Sequence, residues 1–331
     1  MRGLPPRFLV SDQTSMGYSN CEALSLSPAW KRVKSLWATW AYGELCRRYP
    51  NTPFLFHGLS NLNLPLKKKS SKHTFFLTIH DGIPLLAPHS VSLSIALQSR
   101  LLFPRVVSLA DRIICVSKWT QDWLSLAYPE AASKCITIPN GFPTWRAPIF
   151  FERSETKLRI LVVSRFEKYK QFDLLAKILE NKPEFFSVTV VSDRKGVAFL
   201  EEKLGHSRIN LTLLSAVQEP LLLELYESAD VLLHTSRFEG FCLPASEALS
   251  NGVPVVYCRG SGIDEVVGAA VGVGLEATAP IEAWIGALEA WGKKRRTPLF
   301  QSDCSAYVNN QLQWSQVADL LLQEYRSFAF S

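Results

Sequence analysis

The second half of the chain alternates short apolar runs with stretches of helical periodicity. The apolar runs are rich in β-branched residues, as expected for strands buried in a parallel sheet. The predicted strands are "LRILVVS", "FSVTVVSD", "INLTLLS", "DVLLHTS" and "PVVYC". The intervening stretches "FDLLAKILE", "VAFLEEKLG", "EPLLLELYESA" and "PASEALS" have the spacing of amphipathic helices. This alternation predicts a doubly wound sheet of Rossmann type.

The first half repeats the alternation less regularly. Its predicted strands are "TPFLFHG", "TFFLTIHDG", "DRIICVS" and "CITIPNGFP", and "SKWTQDWLSLAY" is predicted as a helix with Ser117 as its N-cap. Residues 143–157, rich in proline, arginine and aromatic side chains, are the predicted linker, and a last helix is predicted over residues 311–328. Two open α/β domains place the carboxyl ends of their strands on either side of a cleft, where such folds bind ligands.

The composition is typical of a soluble globular protein, with 331 residues, 47% of them hydrophobic and 20% charged. No apolar run approaches the roughly 20 residues that span a bilayer, and the first residues lack the apolar core of a signal peptide. The seven cysteines are odd in number and have no close spacing, which indicates reduced thiols rather than a disulfide framework or a metal site. A cytoplasmic location is therefore expected.

The net charge of +6 is concentrated in two basic segments, residues 67–72 and 293–296. Solvated loops are the simplest interpretation, and attraction to anionic lipid headgroups or to an anionic acceptor is the alternative. A nucleic-acid-binding protein would usually be more basic and would carry a recognisable module. No nucleic-acid partner is therefore expected.

The strongest candidate site is the segment "HTSRFEGFCLPASEALSNGVPVV". A turn at Gly240 leads to a helix predicted to begin at Pro244, and Gly252 ends that helix. The amides and the dipole at the helix N-terminus suit a phosphate. Glu247, predicted in the first turn, and Glu239, on the preceding loop, suit a ligand with hydroxyls at both ends and phosphate between, such as a nucleotide-sugar. Two solvated surface glutamates are the alternative.

The part "FEGFCLPASEALSNGVPVV" closely resembles the signature of glycosyltransferase family 4, in which seven residues separate two glutamates. "TIHDGIPLL", "ADRIICVSKWTQDWL", "ITIPNGFP", "VVSRFEKYKQFDLL" and "GSGIDEVVG" resemble other family segments in the family's order. The resemblance covers residues 54–325 and implies an α/β protein with the GT-B fold, in which two Rossmann-like doubly wound parallel-sheet domains face a cleft. The implied division is an acceptor-side domain (1–148), a nucleotide-sugar-binding domain (149–310) and a C-terminal helix (311–331) that crosses back to the first domain.

The resemblance implies a role for each matched residue. Arg165 and Lys170 would stabilise the negative charge of the departing diphosphate, Glu239 would bind donor-sugar hydroxyls near the reacting centre, and His80 would face the donor. These four are the predicted catalytic residues. The predicted donor-binding residues, with Glu247 on the ribose hydroxyls, are Glu247, Gly240, Phe241, Cys242, Leu243 and Val217.

The family generally needs no metal ion, and the chain contains no Asp-x-Asp motif of the metal-dependent transferases. No metal and no cofactor besides the donor substrate are therefore expected. The family's reaction is usually described as attack from the face that the diphosphate leaves, with the departing phosphate accepting the acceptor's proton. No protein base is assigned, and His234 is interpreted as structural support for the loop.

The first fifty residues depart from the family pattern. "RFLVSDQTSMGYSN" resembles only a reduced strand and glycine-rich loop, with Gly17 as its single glycine, and the N-domain is predicted to be about one βα unit short. "PAWKRVKSLWATWAYGELCRRYP" predicts one helix that packs on the N-domain sheet, and a membrane-contacting helix is the alternative. A further departure is Gln171, which follows Lys170 where the family has glycine.

The predicted function is retaining transfer of a hexose-type sugar from a UDP- or GDP-sugar to a glycan, lipid-linked or small-molecule acceptor, in cell-surface polysaccharide or glycoconjugate synthesis. The predicted partners are the donor, the acceptor and, through the basic segments, an anionic membrane surface. The alternative is a partner subunit that binds a nucleotide-sugar but is catalytically weak. A nucleotide-sugar epimerase or dehydrogenase is disfavoured because no G-x-G-x-x-G follows a first strand.

Overall fold

The computed structural model describes residues 8–10, 21–23, 34–143, 157–181, 184, 186–205 and 210–329. Most of the predicted linker, the loop that contains Gly17, and Trp30 and Val33 of the predicted first helix lie outside these ranges. The predicted domain boundaries at residues 148 and 310 stay predictions.

Two short strands precede the main sheets. Phe8–Val10 (β1) and Cys21–Ala23 (β2) pair in parallel as a separate two-stranded sheet, and β1 lies where the first strand is predicted. Helix α1 (Lys34–Arg48) follows. Tyr42 of this helix is buried and packs edge-on against Phe75 of the N-terminal core. The described part of α1 thus packs inside the protein, as the simpler of its two interpretations predicts, and the shortening of the N-domain stays a prediction.

The N-terminal domain is built on a parallel four-stranded sheet. Its strands, in spatial and chain order, are Leu55–Gly58 (β3), Thr74–Ile79 (β4), Arg112–Cys115 (β5) and Cys135–Thr137 (β6). The connections contain helices Ile83–Leu86 (α2), Leu93–Leu109 (α3) and Lys118–Ala127 (α4). The predicted strands are confirmed, and so is the N-cap, since Ser117 Oγ accepts a hydrogen bond from the Thr120 amide at 3.1 Å. The 17-residue helix α3 is not predicted by the sequence pattern.

The C-terminal domain is built on a six-stranded parallel sheet. Its strands are Leu158–Val163 (β7), Phe186–Ser192 (β8), Asn210–Ser215 (β9), Val231–His234 (β10), Val255–Cys258 (β11) and Gly272–Leu275 (β12). They lie in the order β12-β11-β10-β7-β8-β9. The chain moves outward from β7 to β9 and then returns to the other side of β7 as β10. The point where the order reverses lies between β7 and β10, and crevices at such points are the usual ligand sites of open α/β sheets.

Helices cover both faces of this sheet. They are Phe172–Glu180 (α5), Arg194–Leu204 (α6), Glu219–Ser228 (α7), Leu243–Ser250 (α8), Ile281–Arg295 (α9) and Pro298–Asn309 (α10). One apolar layer contains the fully buried Trp284 of α9, and the layer on the other side contains Tyr226 of α7 and Phe300 of α10. Burying a large apolar side chain contributes about 1.5–3 kcal/mol, so these two layers hold the sheet between its helices.

The last helix, Trp314–Ala329 (α11), packs on the N-terminal sheet. Its Val317 is buried against Phe76 of β4 and Ile114 of β5. Glu324 accepts a hydrogen bond at 2.8 Å from Arg112 at the start of β5. Helix α11 thus returns from the C-terminal domain to the N-terminal sheet. None of the described helices is both long enough and apolar enough to cross a membrane.

A buried carboxylate joins the start of β7 to the end of α9. Asp230 is 1% exposed, and its Oδ2 accepts hydrogen bonds from the Arg159 amide and from the Arg296 guanidinium, each at 2.9 Å. The basic segment 293–296 therefore contributes Arg296 to the structure of the domain.

We expect Asp230→Ala to lower the free energy of unfolding by about 2–4 kcal/mol, because it removes the carboxylate that the Arg159 amide and the partly buried Arg296 guanidinium share. The matched control is Glu276→Ala, which removes one partner of an exposed ion pair with Arg259 and is expected to cost less than about 1 kcal/mol. Urea unfolding of both variants measures the difference. Equal effects of the two substitutions would contradict the importance of this contact.

Candidate active site

Three elements bring charged side chains to the carboxyl edges of the two sheets. A 3-10 turn, Lys168–Lys170, follows β7 and carries Lys170. The loop after β10 carries Glu239. From the N-terminal domain, the end of β4 brings His80 and Asp81, and the His80 carbonyl lies directly against Gly240. The predicted catalytic residues Lys170 and Glu239 are therefore adjacent, at the place where the strand order reverses.

Glu239 is the centre of a buried ion-pair network. Its Oε1 lies 2.5 Å from Lys170 Nζ and 2.7 Å from His234 Nε2. Burial alone would raise the pKa of Glu239, but the Lys170 ammonium and the His234 hydrogen bond outweigh burial and lower the pKa to about 2. Glu239 is therefore ionised at neutral pH. His234, interpreted from the sequence as support for the loop, makes a direct hydrogen bond to this carboxylate.

Lys170 stays charged for the reciprocal reason. Burial would lower its pKa, but the negative charge of Glu239 and the hydrogen bond to Glu239 outweigh burial and raise the pKa. The Lys170 ammonium also lies 5.1 Å from the centre of the Tyr169 ring, within the range of a cation–π contact. Tyr169 is not among the residues predicted from the sequence.

Gln171, which stands where the family has glycine, adopts a backbone conformation that is typical of glycine. Gln171 has φ 53° and ψ 50°, the left-handed conformation that glycine adopts without strain. A residue with a Cβ pays roughly 1–2 kcal/mol for this conformation. Gln171 ends the 3-10 turn in the geometry that a glycine would provide, and Lys170 still reaches Glu239.

A close approach of backbones joins the two domains at Gly240. A Cβ built at Gly240 would lie 1.5 Å from the His80 carbonyl oxygen, and one built at Gly262 would lie 2.1 Å from the Gly240 carbonyl oxygen. Gly240 is therefore enclosed between the N-terminal domain and the loop after β11. A second contact between the domains is made by Glu265, whose carboxylate accepts hydrogen bonds from the amides of Lys118 and Trp119, at 2.8 and 2.6 Å. These amides open helix α4, where the helix dipole favours a negative charge.

The other two predicted catalytic residues lie at the edge of this cluster. Arg165 follows β7, and its guanidinium is exposed without an ion pair among the described residues. The His80 ring is half-buried, and its Nε2 lies 2.9 Å from the Leu59 carbonyl oxygen, an acceptor that fixes Nε2 as the protonated nitrogen.

Asp81 is a further ionisable group beside the site that is not among the predicted site residues. Burial raises its pKa, and the neighbouring Glu239 carboxylate raises it further. Its Oδ1 accepts a hydrogen bond from the Ile83 amide at 3.0 Å, so it caps the turn into α2. The available sequence signal is the "HD" pair itself, of which only the histidine is among the predicted residues.

Glu247 lies just beyond the first turn in which it is predicted, because the helix begins one residue earlier than predicted. Helix α8 begins at Leu243, so Glu247 is its fifth residue and lies in the second turn. The helix starts early because Cys242, with φ 84°, turns the chain directly into it. Glu247 Oε2 accepts a hydrogen bond from the Tyr226 hydroxyl at 2.7 Å. Burial raises the pKa of Glu247, and the Tyr226 hydrogen bond partly offsets this effect.

The remaining predicted donor-binding residues surround the start of α8. Phe241 and Cys242 are buried in the apolar layer that also includes Val217, which is half-buried. Leu243 is 42% exposed. Pro244 is the second helical residue, and Gly252, with φ 65°, follows the helix end as predicted.

One group of side chains has the donor types of a metal site. His234, Glu239 and Cys242 place one ligand atom each within 4.8 Å of one another. The Lys170 ammonium, however, lies against the same Glu239 oxygen that His234 contacts. A fixed cation therefore already neutralises this carboxylate, and a second cation there would be repelled. Burial also raises the pKa of the Cys242 thiol well above its usual value, so the thiolate that binds metals is disfavoured.

Comparison with known families places this site in a recognised domain. Residues 145–307 match the family model "Glycosyl transferases group 1". This segment contains Arg165, Lys170, Glu239 and Glu247. The comparison thus supports the coarser part of the resemblance, while membership of family 4 stays a prediction.

The chain is also similar to a curated relative and to solved structures. The chain is 32% identical over 174 residues to one subunit of the human phosphatidylinositol N-acetylglucosaminyltransferase, a match that covers 49% of this chain and 35% of the relative. Sucrose-phosphate synthase from Thermosynechococcus elongatus has a similar structure, with a TM-score of 0.72 at 18% identity over 94% of this chain and 84% of the other. The structure of Anabaena HepE in complex with UDP-glucose has a TM-score of 0.62 at 18% identity, over 77% of this chain and 73% of HepE. The chain spans half or less of the length of the curated relatives it matches.

The structural likeness, together with the two parallel sheets, confirms the predicted GT-B-like α/β fold. Because the solved structures are less than 25% identical to this chain, the structural likeness shows the fold alone.

We expect Gly240→Ala to force the two domains apart, because its Cβ would clash with the His80 carbonyl. Small-angle X-ray scattering should show a larger radius of gyration while each domain stays folded. The matched control is Gly286→Ala in α9, where a Cβ meets nothing within 4 Å. This substitution is expected to stabilise the helix by about 0.5–1 kcal/mol. An unchanged radius of gyration in Gly240→Ala would contradict the enclosed position of this residue.

Proposed function

We propose that the protein is a retaining glycosyltransferase of family 4, which moves a hexose-type sugar from a UDP- or GDP-sugar to a glycan, lipid-linked or small-molecule acceptor. The observation that carries the proposal is the Lys170–Glu239 pair beside the start of α8, where the order of the strands reverses. Open α/β sheets bind ligands at this place. The match of residues 145–307 to the group 1 family supports the reaction class.

The charges of the site fit a diphosphate leaving group. When the bond to the anomeric carbon breaks, negative charge develops on the β-phosphate, and fixed cations and backbone amides stabilise it. Lys170 is a buried cation with little freedom to move, and Arg165 is exposed and free to turn toward a phosphate. We infer that these two residues supply the charge stabilisation, together with the amides near Phe241–Leu243.

The two glutamates differ in environment and are proposed to differ in role. Glu239 is ionised at neutral pH, so it can accept hydrogen bonds from donor-sugar hydroxyls. Glu247 has one carboxylate oxygen held by Tyr226, which leaves the other for the ribose hydroxyls. His80 is proposed to face the donor sugar from the N-terminal domain.

The proposed reaction proceeds with retention and without a metal ion. The departing phosphate accepts the acceptor's proton, so the mechanism assigns no protein base. HepE, a structural neighbour, has been solved in complex with UDP-glucose, which supports a hexose-type donor. We propose a cytoplasmic location and a place in polysaccharide or glycoconjugate synthesis.

A second candidate function is nucleotide-sugar binding without efficient catalysis, within a larger complex. One relative is named as a subunit of a phosphatidylinositol N-acetylglucosaminyltransferase, and this chain covers only 35% of it.

We expect one class of nucleotide-sugar to raise the melting temperature in a panel of UDP- and GDP-sugars, and the same donor to be hydrolysed or transferred. Lys170→Met and Glu239→Gln should each lower turnover by about a hundredfold or more, since loss of one such electrostatic contact costs about 3 kcal/mol. The matched control is Lys168→Met, an exposed lysine in the same turn, which should leave turnover unchanged.

Tight donor binding without turnover on any acceptor would favour the second candidate. Binding of no nucleotide-sugar, or equal turnover in Lys170→Met and Lys168→Met, would contradict the proposed site.

A further inference from the structure

Helix α3 of the N-terminal domain presents a row of leucines to solvent. Leu93, Leu97 and Leu101 are 84%, 53% and 65% exposed, and we call these three residues the leucine face. A second side of the helix buries Phe103, Val106 and Val107 in the N-terminal core. At about 100° per residue, the leucine face spans an arc of about 80°, separate from this buried side. This helix is therefore apolar on two sides, although only one of them is covered by the described protein.

Arginines border the leucine face on both sides. Arg100 and Arg105 are exposed and fall about 20° and 40° beyond the two edges of the arc. Long basic side chains at such positions can bury their stems among apolar groups while their charged ends reach a polar surface. The sequence contains no acidic residue between Asp81 and Asp111, so α3 itself carries no negative side chain.

Further basic side chains gather at the C-terminal end of α3. Arg105 Nε donates a hydrogen bond to the Leu66 carbonyl at 3.1 Å, which fixes the start of the basic loop 67–72 beside the helix. Three lysines of this loop are exposed: Lys67, Lys69 and Lys72.

The acidic residue that follows α3 in the sequence is paired with a lysine. Asp111 lies just after α3, and its Oδ2 lies 2.6 Å from Lys68 Nζ. Lys134 Nζ donates to the Ser108 carbonyl at 3.0 Å, which adds another positive charge to the same end. The end of the leucine face is thus bordered by positive charge.

We propose that the leucine face and its basic border dock on an anionic lipid surface. Apolar side chains facing outward with a basic border are the pattern of helices that lie in the membrane interface. Each Lys or Arg near an anionic surface is attracted to it, and each leucine that leaves water strengthens the binding. A second copy of the chain suits this face poorly, because the basic borders of two copies would repel each other.

The proposed membrane contact differs from the regions suggested by the sequence, because it centres on helix α3. Of the regions that the sequence suggests for it, helix α1 buries Tyr42 in the N-terminal core, and segment 293–296 uses Arg295 and Arg296 to hold backbone carbonyls and Asp230. The remaining region, the loop 67–72, belongs to the docking surface. The inference goes beyond the proposed function, since lipid docking does not require transferase activity.

Co-sedimentation of the full chain with vesicles tests this proposal. The probes are vesicles of phosphatidylcholine alone and vesicles of phosphatidylcholine mixed with phosphatidylglycerol. The protein should bind the mixed vesicles more tightly, and binding should weaken with added salt. The double variant Leu97→Ser/Leu101→Ser should bind vesicles about tenfold or more weakly, because it removes two apolar side chains that would enter the membrane. Lys69→Gln/Lys72→Gln should lose affinity for the mixed vesicles only.

The matched control is Leu126→Ser, which replaces a leucine that is also 84% exposed but lies on α4, outside the leucine face. It should bind vesicles like the wild type, and thermal unfolding checks that all variants fold. Absence of vesicle binding by the wild type, or equal losses in Leu126→Ser and in the double variant, would overturn the proposal. So would a wild-type dimer in sedimentation velocity that the double variant loses, since the face would then belong to a second copy.

Discussion

The buried pair of Lys170 and Glu239 is the interaction around which the site is organised. A carboxylate this well buried would normally take up a proton, and a lysine this well buried would lose one. Each keeps the other charged, and His234 adds a hydrogen bond to the same carboxylate oxygen. The cost of desolvating two charges is offset only while both are present. The site therefore presents a fixed cation and a fixed anion in a place sheltered from water, where charge acts most strongly on a bound ligand.

The fold supplies the geometry that this pair requires. The reversal of strand order between β7 and β10 brings the turn with Lys170 and the loop with Glu239 to one point. The N-terminal domain closes that point, because the His80 carbonyl packs on Gly240 and Asp81 adds a third ionisable side chain. Glu265 on the opening amides of α4 and Val317 of α11 on the N-terminal sheet hold the two domains together from two further directions. The site is therefore a property of both domains.

The strands of the two main sheets, apart from β12, are predicted from local sequence patterns. The details of the site are predicted less well, because they depend on contacts between residues that are distant in the sequence. Strands such as β7 and β10 are runs of apolar, often β-branched residues, so a local pattern suffices. Helix α3 is not predicted because its exposed side carries leucines, so its sequence lacks the polar side of a simple amphipathic helix. Glu247 is predicted in the first turn of α8 rather than the second because the helix begins one residue early, after the left-handed Cys242, a conformation that neighbouring residues do not encode. Asp81 and Tyr169 join the site only through tertiary contacts. The resemblance to a family identifies Lys170 and Glu239, whereas their direct contact emerges only in the folded chain.

The most direct test of the buried pair compares the pH dependence of stability in the wild type and in Glu239→Gln. The folded-state pKa of Glu239, about 2, lies below the ordinary value of about 4.3 for an unfolded chain. The stability that the ionised carboxylate contributes is therefore fully present above about pH 4.3 and is lost as the pH falls toward 2. Urea unfolding from pH 7 downward should show a wild type that is more stable than Glu239→Gln at neutral pH, with a difference that shrinks below about pH 4.3. A difference that stays constant, or grows, as the pH falls would contradict an ionised Glu239 held by Lys170.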